Sequence, residues 1–153
     1  MKAPDNDLRL SWADRWYAIK SIFLLQSMAL ALRVLGFRRV YNRLNQAAAS
    51  QVNQEASADS PNLREAIRIG RLVGIANRRF HSLQVPCLPE SLTVWWLLQK
   101  RTIPAILRLG VRKQDGSLDA HAWVEYSDQV ISGDPSLPAA FVPVDLHMAA
   151  NQK

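Results

Sequence analysis

Ile103-Pro104-Ala105-Ile106-Leu107-Arg108-Leu109-Gly110-Val111-Arg112-Lys113-Gln114-Asp115-Gly116-Ser117-Leu118-Asp119-Ala120-His121-Ala122-Trp123-Val124-Glu125-Tyr126 is the stretch that decides the fold. Before it, apolar residues recur at helical spacing. Within it the period falls to two, which is the period of a strand. Asp115-Gly116 supplies a two-residue hairpin turn, because both positions tolerate positive φ. The stretch therefore predicts strands over Ile103–Lys113 and Leu118–Tyr126, with Pro104 confined to the start for want of an N–H. Ser127-Asp128-Gln129 reads as a second turn and Val130-Ile131-Ser132 as a third strand. A fourth is expected over Phe141–Leu146, after a loop that carries Pro135 and Pro138. Helices first and an antiparallel meander afterwards define an α+β fold.

Working upstream, Pro86 biases Val85 away from helix. A largely buried helix is predicted from Cys87 or Leu88 to Arg101, with Pro89 tolerated only in its first turn. Another is predicted from Ser60, with Pro61 at its first position, out to about Phe80. Its apolar stripe is Leu63, Ile67, Leu72, Ile75 and Ala76, and Arg64, Arg68, Arg71, Arg78 and Arg79 take much of the rest. Residues 45–60 lack large apolar side chains apart from Val52, so they read as a linker or a frayed helix end. Residues 8–42 read as a helix that Gly36 ends or breaks. Trp12, Trp16, Ile19, Phe23, Leu30, Val34 and Phe37 form one stripe, and Leu24, Leu25, Met28 and Leu32 a second face. Such a helix wants cover on both sides. The commoner arrangement is a core helix whose basic end suits its C-terminal dipole. The alternative is a helix that docks a partner or a membrane surface. The chain thus divides into residues 1–59, helical segment and linker, and residues 60–153.

At 153 residues the chain has the length of one domain. Its formal charge of +6 is uneven: residues 1–80 hold 13 Lys/Arg against 6 Asp/Glu, and residues 81–153 hold 6 against 7. A basic half attracts anionic partners. No nucleic-acid-binding motif accompanies the charge, so none is expected there. Ile22–Leu35 is interrupted by Gln26, Ser27 and Arg33 and falls short of the ~20 apolar residues of a spanning helix. The mixed charges at the start do not resemble a secretory signal. One cysteine excludes an internal disulfide framework and suits the reducing cytoplasm.

That cysteine, Cys87, opens a helix, where unpaired N–H groups favour the thiolate. Buried free cysteine is often only a small hydrophobe, but cysteine catalysis needs a base beside the thiol, and His121 on the second strand can supply one. A third group should orient the imidazole. Asp134, Asp145, Asp119 and Glu125 are candidates, and Asp134 is favoured because it follows the strand expected next to His121. His81, Cys87, His121 and His147 show no zinc-ligand spacing, so no metal is expected. No phosphate-binding loop is present, and no cofactor bound by this chain is expected.

Four motifs in order resemble those of the transglutaminase-like leader peptidases of lasso-peptide biosynthesis, the C-terminal half of the B proteins. They are Cys87-Leu88-Pro89-Glu90-Ser91-Leu92, Leu97-Leu98-Gln99-Lys100-Arg101-Thr102-Ile103-Pro104, Leu109-Gly110-Val111-Arg112-Lys113 and Ala120-His121-Ala122-Trp123-Val124-Glu125. The resemblance spans roughly residues 60–145. It implies a papain/transglutaminase-like core, a catalytic helix packed on an antiparallel sheet, preceded by N-terminal helices. It implies a cysteine peptidase that removes the leader from a ribosomally made precursor peptide, with Cys87 as nucleophile, His121 as base and Asp134 as the acid. The implied partners are the precursor peptide, a separate leader-recognition protein and an asparagine-synthetase-like cyclase, which would be the component that uses ATP. Two other readings stand beside it. One is an acyltransferase, since the same triad can serve an amine. The other is a catalytically silent module that binds a peptide or partner protein.

Overall fold

Asp115 and Gly116 both take positive φ, 50° and 80°, and between them the hairpin closes. The strands it joins are β1, Ile106–Gln114, and β2, Ser117–Tyr126. This computed structural model describes residues 12–49, 60–79 and 85–144. Ahead of the hairpin stand four helices: α1, Trp12–Leu35; α2, Phe37–Ala49; α3, Ser60–Arg79; and α4, Cys87–Gln99. After it come β3, Gln129–Ser132, a short α5, Leu137–Ala140, and β4, Val142–Val144. The protein is α+β, helices followed by a four-stranded antiparallel sheet.

The sheet order is β3-β2-β1-β4. A continuous meander would have set β4 beside β3. Instead α5 carries the chain across, and β4 pairs with the far edge of β1, Val142 opposite Val111 and Val144 opposite Leu109. β1 also begins later than its composition suggests. Ile103 N–H donates to Leu98 O at 3.1 Å, and the Ala105 carbonyl accepts from Trp95 Nε1 at 3.1 Å and Gln99 Nε2 at 3.0 Å. Residues 103–105 therefore bind the end of α4 and not a strand. α4 ends at Gln99, short of Arg101.

Gly36 breaks the first helix, with φ +77° between α1 and α2. α2 runs on through Ala49, so residues 45–49 are helix, while 50–59, Phe80, Asp145 and Leu146 lie outside the described residues. The main core joins Leu25 and Met28 of α1, Val40 of α2, Ile69 and Val73 of α3, and Leu92, Val94, Trp95 and Leu98 of α4. Leu107, Val124 and Tyr126 bring one face of the sheet into it. The opposite face holds a smaller cluster, in which Trp123 is fully buried under Leu137 and Phe141. Gly110 lies beneath that cluster, where a Cβ would stand 2.7 Å from both Phe141 and the Trp123 ring.

The outer stripe of α1 is not core. Trp12, Trp16, Ile19, Phe23, Leu30 and Val34 are exposed, while Leu25 and Met28 on the other side are buried. Two apolar faces in sequence are here one buried face and one bare one.

Candidate active site

A helix start leaves its first N–H groups without intrahelical partners. α4 reduces that set with proline. Pro86, extended at φ −60° and ψ 172°, precedes Cys87, and among the described residues no side chain caps the end. Pro86 and Pro89 carry no N–H, and Glu90 N–H already donates to Pro86 O at 3.4 Å. The N–H groups of Cys87 and Leu88 remain, with no acceptor among the described residues. Cys87 itself is half-buried and is not disulfide-bonded.

Buried Asn77 of α3 fixes the approach to this end. Its Oδ1 accepts from Val85 N–H at 2.8 Å, and its Nδ2 donates to Val85 O at 3.0 Å and to Glu90 Oε2 at 2.6 Å. One side chain thus clamps the residue before Pro86 to the first turn of α4, where an acid also suits the helix dipole. One turn after Cys87 and on the same side of the helix, buried Ser91 Oγ donates to Ala122 O at 2.9 Å. Further on, Trp95 and Gln99 bind Ala105, which leads into Ile106 opposite Glu125. These bonds make α4 run alongside β2 in the same direction. Cys87 precedes Ser91 by four residues, about 6 Å of helix, so it stands level with Ala120 and His121.

His121 pairs with Gly110 across β1–β2 and is half-buried. Alternation sets it on the face of Trp123. Its ring lies 5.7 Å from that of Phe141, tilted by 38°. The bulk of α4 packs on the other face, and Cys87 and His121 form no hydrogen bond with each other. Among the described residues the imidazole has no hydrogen-bond partner, so the ring is held by Phe141 and its strand alone. Arg112 stacks over the same Phe141 ring at 4.5 Å and pairs with Asp119 at 2.8 Å.

Of the four acids weighed for the third place, Asp119 is held by Arg112, and Glu125 by Arg108 at 2.9 Å and by Trp123 Nε1 at 2.7 Å. Asp145 lies outside the described residues. Asp134 is exposed just past β3, where Gly133 turns the chain at φ +106°. The pairing Val124–Ser132, carried two residues further, would bring Asp134 opposite Ala122 and next to His121. Its Oδ1 accepts instead from Ser136, Oγ at 2.7 Å and N–H at 2.8 Å. Those two bonds hold the carboxyl below the ordinary aspartate range.

Neither Asn77 nor Ser91 stood out in sequence, though both positioned the parts that did. The available signal was a small hydroxyl one turn after Cys87, on the same side of a largely apolar helix. Among the described residues no group of His, Cys, Asp and Glu could hold a metal ion. An open groove of about 570 Å³ lies at the far end of α4, lined by Tyr41, Trp95, Gln99, Leu107 and Arg108, and not at Cys87.

The family model described as the transglutaminase-like superfamily matches residues 31–145, a span that contains Cys87, His121 and Asp134. No curated protein and no solved structure matches the chain.

Proposed function

The chain belongs to the transglutaminase-like superfamily, and on that premise we propose that it is a cysteine peptidase that removes the leader from a ribosomally made lasso-peptide precursor. The observation that carries the reading is the lone thiol at an uncapped helix start whose next turn is bonded to the residue beside His121. The lasso substrate is supported by the four ordered motifs between Cys87 and Glu125. In this reading a separate recognition protein presents the leader, and an asparagine-synthetase-like cyclase closes the core peptide and uses ATP.

The residues take roles as follows. The Cys87 thiol gives its proton to His121, and Sγ attacks the carbonyl carbon at the leader–core junction. The oxyanion accepts hydrogen bonds from the N–H groups of Cys87 and Leu88. His121 then protonates the departing amine, leaving a thioester on Sγ. Water, deprotonated by His121, attacks that thioester, and the same proton returns to Sγ as the leader acid leaves. The step needs the imidazole to leave Phe141 and swing around β2, whose pairing with β3 ends at Val124–Ser132, toward Sγ. Asp134 orients the imidazole, exchanging Ser136 for the ring N–H.

Mass spectrometry of precursor incubated with the chain and the recognition protein tests this. Free leader acid and free core are expected, and Cys87→Ala is expected to stop both while the circular dichroism is retained. Cleavage that survives Cys87→Ala would overturn the reading. Excess methylamine separates peptidase from acyltransferase: a peptidase still yields the leader acid, whereas an acyltransferase yields its methylamide.

A further inference from the structure

The outer face of α1 is an uncovered row of large apolar side chains. Residues 12, 16, 19, 23, 30 and 34 follow at steps that keep them on one side of a helix. Trp12 is 84% exposed, Phe23 73% and Val34 70%, with Leu30, Trp16 and Ile19 exposed between them. Buried Ser21, Leu25 and Met28 lie roughly 180° away around the axis, at about 100° per residue. The row is about 33 Å long at ~1.5 Å per residue. Single soluble domains seldom leave so long a row bare.

Along the chain, the charge that follows Asp14 is of one sign. Between Asp14 and Glu55 there is no acid, and six cations stand there: Arg15, Lys20, Arg33, Arg38, Arg39 and Arg43. Lys20, Arg33, Arg38, Arg39 and Arg43 are exposed, and Lys20 Nζ lies 5.5 Å from the Trp16 ring. A second copy meeting this face by two-fold symmetry would set cations against cations. A protein partner takes its main anchors from pockets, and a row of side chains 45–84% exposed forms a ridge. A fluid anionic surface fits both properties. It admits a ridge, places tryptophan at its boundary and answers the cations with phosphate. Among the described residues no helix is long and apolar enough to cross a membrane.

We propose that α1 lies along an anionic lipid surface, its outer row entering the boundary between headgroups and acyl chains. The inference is independent of the reaction at Cys87. Flotation of the full chain with vesicles tests it, one set of phosphatidylcholine and one with an equal part of phosphatidylglycerol. Binding is expected only to the anionic set and is expected to fall with added salt. Phe23→Glu is expected to weaken it about tenfold or more, and Phe23→Leu to retain it. Brominated acyl chains are expected to quench tryptophan emission, and the joint change Trp12→Phe, Trp16→Phe to remove most of that quenching. No flotation with anionic vesicles, or binding unchanged by Phe23→Glu, would overturn the proposal. So would a concentration-dependent dimer dissolved by Phe23→Glu without lipid binding, or capture by an acidic protein without lipid binding. All the altered side chains are exposed, and the thermal midpoint verifies that each variant folds.

Discussion

At the scale of single residues, two positions separate support from chemistry. Ser91 binds the Ala122 carbonyl from inside the core. Ser91→Ala is expected to cost about 1–2 kcal/mol in urea unfolding. It should also lower kcat of the proposed leader cleavage more than it changes KM, because it loosens the helix that holds Cys87. Asp134 is the opposite kind of residue, exposed, with its carboxyl accepting from Ser136. Asp134→Asn is expected to leave the thermal midpoint near pH 7 almost unchanged and to lower kcat by about 10²–10⁴-fold, as loss of an orienting acid does. An unchanged kcat would remove Asp134 from the proposed triad. The pH dependence has a definite sign. The folded carboxyl sits below its ordinary value of 3.8. Its contribution to stability is therefore whole above that value and is lost as pH falls through the folded one. Ser136→Ala removes one of the two donors, so midpoints followed between about pH 5 and pH 2 should decline less on that account.

At the scale of elements, close approach is built into the sheet. Gly110 leaves the space that Trp123 and Phe141 occupy. Gly110→Ala is expected to destabilise the protein by about 1–3 kcal/mol, read as a lower urea midpoint with unchanged slope. Asn77 is the clamp between α3 and the start of α4. Asn77→Ala is expected to cost about 2–3 kcal/mol, since it leaves buried backbone groups of Val85 unpaired. The elements also show what a sequence can reveal. The hairpin at Asp115-Gly116 was legible because its cause is local: two residues that accept positive φ between two runs of period two. The turn at 127–129 was legible in place but not in conformation, since Ser127 and Asp128 take φ 48° and 59° without a glycine. Cys87 at a helix start was legible from Pro86 and the apolar run that follows. Asn77 and Ser91 were not, because their partners lie 8 and 31 residues away in the chain. The bare face of α1 was not either: periodicity counts apolar faces but does not say which is covered.

At the scale of the whole molecule, charge and connectivity matter together. The basic excess lies in residues 1–80, and α3 presents Arg64 and Arg71 to solvent. Reversing both to glutamate is expected to slow the proposed precursor processing by raising KM, with kcat held, if this face receives the leader or its carrier. Unchanged processing would leave the charge to α1 and α2. The order of the sheet has a consequence for how the molecule forms. β1, β2 and β3 pair with their neighbours in sequence through two-residue turns, so the strand that carries His121 can zip early at small loop-closure cost. β4 can join only when the chain has passed β2, β3 and α5 and returned to β1, with Val142 meeting Val111. Its edge should be absent from the folding transition state. Val144→Ala should then leave the refolding rate unchanged and speed unfolding about fivefold for each ~1 kcal/mol lost. The working strand would be assembled first, and the last-joined edge would set how long the native state survives.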